Sequence, residues 1–149
     1  MIITFCGHSN YSYSEKDKIR LKEILVKEVK KNPSCKFYLG GYGEFDDLCR
    51  ATLIELKKTF AKIEILFISP YLDENYYKFK NASLYYDGSI YPPIESAPKK
   101  LAIIKRNEWM VENADLLVAF VRYSFGGAAQ TLKFAKQKKI PVVNLYKNG

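Results

Sequence analysis

The sequence contains a single histidine, His8, and three cysteines, Cys6, Cys35 and Cys49, none of them at CxxC spacing. One histidine excludes a His-rich metal site and leaves His-centred catalytic triads with one possible base. An odd, scattered set of cysteines argues against a disulfide framework and for a reducing cytosol, so a cytoplasmic protein is expected. No run of 18 apolar residues is present, which excludes a membrane-spanning helix. The opening MIITFCGHSN has neither the basic n-region nor the long apolar h-region of a signal peptide. Three nucleotide or nucleophile fingerprints are also missing: GxGxxG, GxxxxGKS/T and GxSxG. A dinucleotide fingerprint, a P-loop and a hydrolase elbow are therefore not met, and no motif calls for a cofactor or a metal.

Arginine is scarce as well. Of 24 basic residues only Arg20, Arg50, Arg106 and Arg122 are arginines, so the net charge of +8 is carried by lysine. Most of those lysines sit in helix-like stretches such as 27–31, as solvated faces would require. A nucleic-acid footprint would gather basic residues on one face with aromatics between them. Nucleic acid is thus disfavoured as a partner, although the surplus charge still attracts anions, phosphates included. What is present in quantity is apolar: 48% of 149 residues, enough for one sizeable core. One domain, residues 1–149, is expected.

The apolar runs alternate with helical periodicities. Ile2–Cys6 reads as a strand. Ser14 and Asp17 resemble a capping box, and Leu21, Ile24, Leu25 and Val29 follow at helical spacing until Asn32-Pro33. Lys36–Leu39 is a second strand, a helix spans about Phe45–Phe60, and Ile63–Ile68 is a third strand. Pro98 suits a first helical residue, with the helix running to about Asn113. Asp115–Val121 is a fourth strand, Gly126-Gly127 opens a helix to about Lys138, and Ile140–Tyr146 is a fifth strand. Unbroken apolar strands joined through helices predict an α/β, Rossmann-like three-layer fold. Its sheet is expected to be mainly parallel and five-stranded, in the order 3-2-1-4-5, with Ile2–Cys6 central. Residues 71–97 break the pattern. They hold six of the twelve tyrosines and read as an insertion, with a short helix around Glu74–Phe79 and an extended piece near Ser83–Tyr86.

Gly7, Gly40, Gly41, Gly43, Gly126 and Gly127 all fall between a strand and a helix. In a parallel sheet such junctions lie on the carboxyl edge, where ligands bind at the switch point of strand order. Helix N-termini there offer free N–H groups and a positive dipole end to an anion. Any single glycine is accounted for by a tight turn; the six together point to ligand binding. Asp46 and Asp47 follow the second glycine turn, where acids also suit a helix N-terminus. The hydroxyls of Ser9 and Thr131 suit either phosphate binding or capping, and His8 suits either ligand binding or capping.

Residues Arg106-Asn107-Glu108-Trp109-Met110-Val111, Asp115–Ala119, Gly126-Gly127 and Pro141–Leu145 resemble the SLOG superfamily. That group comprises the DNA-processing Smf/DprA proteins, the cytokinin-activating LOG proteins and the YpsA-like proteins. Phe5–Ser9 and Gly40–Asp46 resemble the YpsA-like branch. The resemblance implies a Rossmann-like sheet binding a nucleotide or nucleotide-derived ligand through Gly7, His8, Ser9, Gly40, Gly41, Gly43, Asp46, Arg106, Asn107, Gly126, Gly127, Gln130 and Thr131. It also implies a homo-oligomer, commonly a dimer. LOG-type enzymes cleave a base–ribose bond with an arginine, matched here by Arg106, and a glutamate beyond a PGGxGT motif. Here that motif reads Phe125-Gly126-Gly127-Ala128-Ala129-Gln130-Thr131, and the glutamate is missing. A binding protein, a sensor or a sink, is therefore the first expectation. The alternatives are an N-glycosidic hydrolase or transferase using Arg106 with a displaced carboxylate (Asp46 or Asp47), and single-stranded DNA binding.

Overall fold

Alternate side chains of a strand point to opposite faces of a sheet. In β5 (Leu116–Phe120) both sets are apolar, and in β1 (Ile2–Gly7) both are buried, with Thr4 the one polar side chain. Ile3, Phe5, Leu116, Val118 and Phe120 enter one buried cluster, and Cys6, Leu117 and Ala119 enter a second. A sheet with two apolar faces needs helices on both. The computed structural model, which describes residues 1–72 and 86–146, has that arrangement. Helix α1 (Glu15–Lys31) and α2 (Glu44–Lys57) bury Leu21, Leu25, Val29, Cys49 and Leu53 in the first cluster. Helix α3 (Ala102–Glu112) and α4 (Gly127–Gln137) contribute Val111, Leu132 and Ala135 to the second. The other strands are β2 (Lys36–Leu39), β3 (Glu64–Ile68), β4 (Gly88–Ile90) and β6 (Val142–Asn144). All described pairings are parallel and the order is β4-β3-β2-β1-β5-β6.

The order of the five expected strands is the one observed, with Ile2–Gly7 in the interior. The count is corrected: the sheet has six strands, not five. The added strand, Gly88-Ser89-Ile90, has no apolar run to announce it. It is held by long-range pairing, Leu66 opposite Gly88 and Ile68 opposite Ile90. Asp87 fixes its entry by accepting the Ile65 N–H at 2.7 Å and pairing with Lys57. The helix expected at 74–79 lies outside the described residues, as does nearly all of the extended piece expected at 83–86.

Local chemistry explains the boundaries. The Ser14 hydroxyl accepts from the Asp17 N–H at 3.2 Å and the Asp17 carboxylate accepts from the Ser14 N–H at 2.9 Å, closing the capping box. Pro98 is not the first residue of α3. Its ψ of 140° is extended, and one 3₁₀ turn, Lys99–Leu101, intervenes. The fourth expected strand is trimmed at both ends by side chains. Asp115 accepts the Ile2 N–H at 2.7 Å, and the Val121 N–H donates to Asn144 Oδ1 at 3.0 Å. The three cysteines are buried free thiols. No helix among the described residues is long and apolar enough to cross a membrane.

Gly7 ends β1 directly beneath α2. A Cβ built there would lie 2.2 Å from Cγ of Phe45, whose side chain is itself buried. Gly7→Ala is expected to destabilise the fold by about 1–3 kcal/mol through overpacking, read as a lowered urea midpoint at constant slope. An unchanged midpoint would mean that Phe45 swings aside at no cost.

Candidate functional site

Because β1 lies between β2 and β5, the turns that follow these three strands meet on one edge. They enclose a cleft of about 450 Å³, within the range of roughly 300–1,000 Å³ usual for small-molecule sites. Ten of the expected ligand residues line it: Gly7, His8, Ser9, Gly40, Asp46, Arg106, Asn107, Gly126, Gly127 and Thr131. Gly41 and Gly43 do not. Gln130 and Asp47 open onto neighbouring grooves instead, Gln130 beside Lys133 and Phe134, Asp47 beside Tyr11 and Lys18. Among the described residues no group of three His, Cys, Asp or Glu is placed to hold a metal ion.

The six glycines separate by cause. Gly41 and Gly43 serve the protein's own packing: an added Cβ would lie 2.7 Å from the Phe67 ring or 2.6 Å from the Ser9 backbone. Gly40 lies against the Arg106 guanidinium, 3.0 Å from where its Cβ would be. Gly126 caps α4 with φ of 93°, a left-handed conformation that favours glycine. Gly127 has neither reason. Its φ is ordinary and nothing lies within 4 Å of an added Cβ.

Arg106 is buried, 4% exposed. One guanidinium nitrogen donates to the carbonyls of Gly40 at 3.0 Å and Ile68 at 2.9 Å, and Nε donates to Asn107 Oδ1 at 2.9 Å. The expected phosphate-binding arginine is thus also a brace between α3 and the ends of β2 and β3. Asp46, in the first turn of α2, faces the same cleft and accepts the Tyr42 N–H at 3.3 Å. Burial pushes its carboxyl up to about 6, against the pull of Arg106 and the Tyr42 N–H.

Of the hydroxyl and imidazole candidates, Thr131 and His8 are already engaged. Thr131 Oγ1 donates to the Gly127 carbonyl at 3.0 Å, one turn back in α4. His8 Nε2 accepts the Arg122 N–H at 2.9 Å, which puts the proton of the neutral ring on Nδ1. Burial lowers its pKa, so the ring stays neutral near pH 7. The Cys6 thiol donates to the Ala128 carbonyl at 3.7 Å, tying the end of β1 to the first turn of α4; burial pushes this thiol far up. No acidic residue occupies that first turn.

Nine other lining residues, Tyr42, Tyr123, Phe125 and Cys6 among them, are not among the expected ligand residues. The signal for Phe125 was its place in the sequence, where the resemblance calls for proline. That for Tyr42 was its position inside a glycine turn. Tyr123 and Phe125 stack at 5.4 Å and 21°, and the Tyr123 ring lies 4.8 Å from that of His8.

No protein-family model and no curated protein matches the chain. Solved structures do. The chain is similar to a single-stranded-DNA-binding DNA processing protein A from Helicobacter pylori, with 14% identity and a TM-score of 0.61 over 95% of this chain and 63% of that one. It is similar to the molybdenum cofactor carrier protein of Chlamydomonas reinhardtii, with 18% identity and a TM-score of 0.55 over 95% of this chain and 73% of the other. The molybdenum cofactor binding protein of Rippkaea orientalis gives 19% identity and 0.59 over the same shares. The chain thus spans less than two thirds of the Helicobacter protein. At these identities the likeness is one of fold: a parallel sheet between helices, Rossmann-like and three-layered.

Proposed function

We propose that the chain binds a nucleotide or nucleotide-derived small ligand at the carboxyl edge, with a phosphate against the N–H groups of Gly126 and Gly127. Gly127 carries this reading. A glycine in the first turn of a helix is entropically costly relative to alanine, and neither backbone conformation nor packing asks for it here. Close approach of a ligand to the backbone is the remaining reason, and the start of α4 supplies unpaired N–H groups and a positive dipole end. Two of the similar structures are of proteins that bind or carry a small-molecule cofactor, which supports a small ligand. Within the SLOG fold, the Phe5–Ser9 and Gly40–Asp46 turns support the YpsA-like branch. A homo-oligomer, commonly a dimer, is part of the same proposal.

A second reading rests on Asp46. Cleaving a base–ribose bond builds positive charge on the sugar and needs a carboxylate beside it. Asp46 shares the cleft with Arg106 and Gly127, whereas Asp47 does not. Near pH 7 Asp46 is mostly the carboxylate, yet Arg106 already neutralises it from within the wall. Binding without turnover is the preferred reading.

Three outcomes test these readings. Gly127→Ala is expected to keep or slightly raise stability, by up to about 1 kcal/mol, while calorimetry shows affinity for a nucleoside monophosphate falling. Gly127→Asp is expected to lower it at least about tenfold, roughly 1.4 kcal/mol; unchanged affinity in both variants would place the phosphate elsewhere. Asp46 is expected to titrate near 6 by carboxyl-carbon NMR rather than near its ordinary 3.8. Losing that proton adds negative charge to the cleft, so an anionic ligand binds less well above pH 6 than below it. The phosphate titrates in the same range, so the comparison is with Asp46→Asn, whose affinity exceeds wild type at pH 7.5 and approaches it at pH 5. A panel of nucleoside monophosphates incubated with the protein is expected to release no free base. Robust release that disappears in Asp46→Asn would establish the enzyme instead.

A further inference from the structure

We infer that the cleft holds its ligand by a planar heteroaromatic ring as well as by phosphate. Phe125 is the platform on which that ring stacks, and Tyr42 bounds the ring from the opposite turn. The inference rests on the phosphate placement proposed above and names the part of the ligand that confers selectivity.

Single exposed apolar side chains are ordinary on a protein surface. Tyr42 and Phe125 are unusual in position. They are 73% and 72% exposed, they line the same cleft, and they stand on the turns after β2 and β5, on either side of β1. Neither packs into either apolar cluster that the sheet makes with its helices.

The Phe125 side is built from below. Its ring stacks on Tyr123, Tyr123 lies against His8, and His8 is pinned through Nε2 to the Arg122 N–H. The Arg122 guanidinium sits 5.6 Å from the centroid of the Tyr123 ring, within cation–π range. A ring fixed on its inner side and exposed on its outer side is preorganised: little rotamer freedom is left to lose when a second ring stacks on it. Tyr42 is steadied at its backbone, where its N–H donates to Asp46. Each stacking surface is uncharged and tolerates any flat ring. Phe125 directly precedes Gly126 and both line the cleft, so the ring and phosphate subsites adjoin, as the base and phosphate of one nucleotide require. The ligand class is therefore a phosphorylated heteroaromatic compound of nucleoside monophosphate size.

The test compares adenosine 5′-monophosphate, ribose 5-phosphate and adenosine by calorimetry on wild type, Phe125→Ala, Tyr42→Ala and Gly127→Asp. Stacking on one aromatic ring predicts about a tenfold gain for the nucleotide over ribose 5-phosphate. Each aromatic truncation is expected to remove most of that gain and leave ribose 5-phosphate unchanged. Phe125→Trp is expected to retain affinity, and its added fluorescence is quenched by the nucleotide but not by ribose 5-phosphate; wild type, with Trp109 alone, is the reference. Equal affinities for nucleotide and ribose 5-phosphate would overturn the ring subsite and leave the phosphate reading intact. Adenosine binding as tightly as the nucleotide, lost in Phe125→Ala but unaffected in Gly127→Asp, would overturn the phosphate placement and keep the ring. Failure of all three compounds to bind overturns both. Phe125 is exposed, so the melting temperature of its variants should match wild type, separating lost stacking from lost fold.

Discussion

The carboxyl edge of the sheet is held together by one buried cation. Parallel strands end with carbonyls that have no further strand partner, and a buried carbonyl without a donor is costly. Arg106 satisfies two of them, at Gly40 and Ile68, from a helix packed on the face of the sheet. The guanidinium is tolerated in that interior because its donors are used and Asp46 faces it. The arrangement sets the distance between α3 and the glycine turn after β2, and with it the width of the cleft. It also sets the charge of the wall: a cation compensated by an acid whose proton is only loosely held near neutral pH.

This dual use revises the simple picture of a ligand-binding arginine. A guanidinium fixed by backbone carbonyls cannot swing toward a ligand, so whatever it contributes to binding is a fixed field rather than a mobile hand. The same holds for His8 and Thr131, each committed to a backbone group. The donors left at the cleft include the backbone N–H groups at the start of α4 and the Ser9 hydroxyl, and the surfaces left uncovered include the rings of Tyr42 and Phe125. Recognition by a rigid frame of amides and rings follows from how much side-chain hydrogen bonding the frame itself consumes.

The regular part of the fold was legible because each core strand is a dense apolar run. Leu116–Phe120 is buried at every position, and Leu21, Leu25 and Val29 fall four residues apart on α1. Gly88–Ile90 was not legible: three residues of mixed character become a strand only through partners more than twenty residues away. The edge location of the site followed from topology, and the glycines marked it. Their separate causes did not, because sequence does not distinguish a glycine that makes room for Phe45 from one that makes room for nothing in the protein. Nor did spacing separate Asp46 from Asp47. Adjacent residues on a helix differ by about 100° of rotation, which sends one into the cleft and the other into a different groove.

The central position of β1 has a consequence for how the chain acquires its shape. Ile3 pairs with Phe37 on one flank, but its other flank is filled by Leu116, more than a hundred residues later. During synthesis β1, β2 and β3 can assemble into a half-sheet while β5 is still unmade, leaving β1 as a bare edge. Such an edge is a template for pairing with the wrong chain, and contacts of this sequence separation form slowly. The elements that close the edge, β5 and α4, are the same ones that bring Gly126 and Gly127 to the cleft. The interval in which the chain is most prone to aggregation therefore ends at the step that first makes it able to bind.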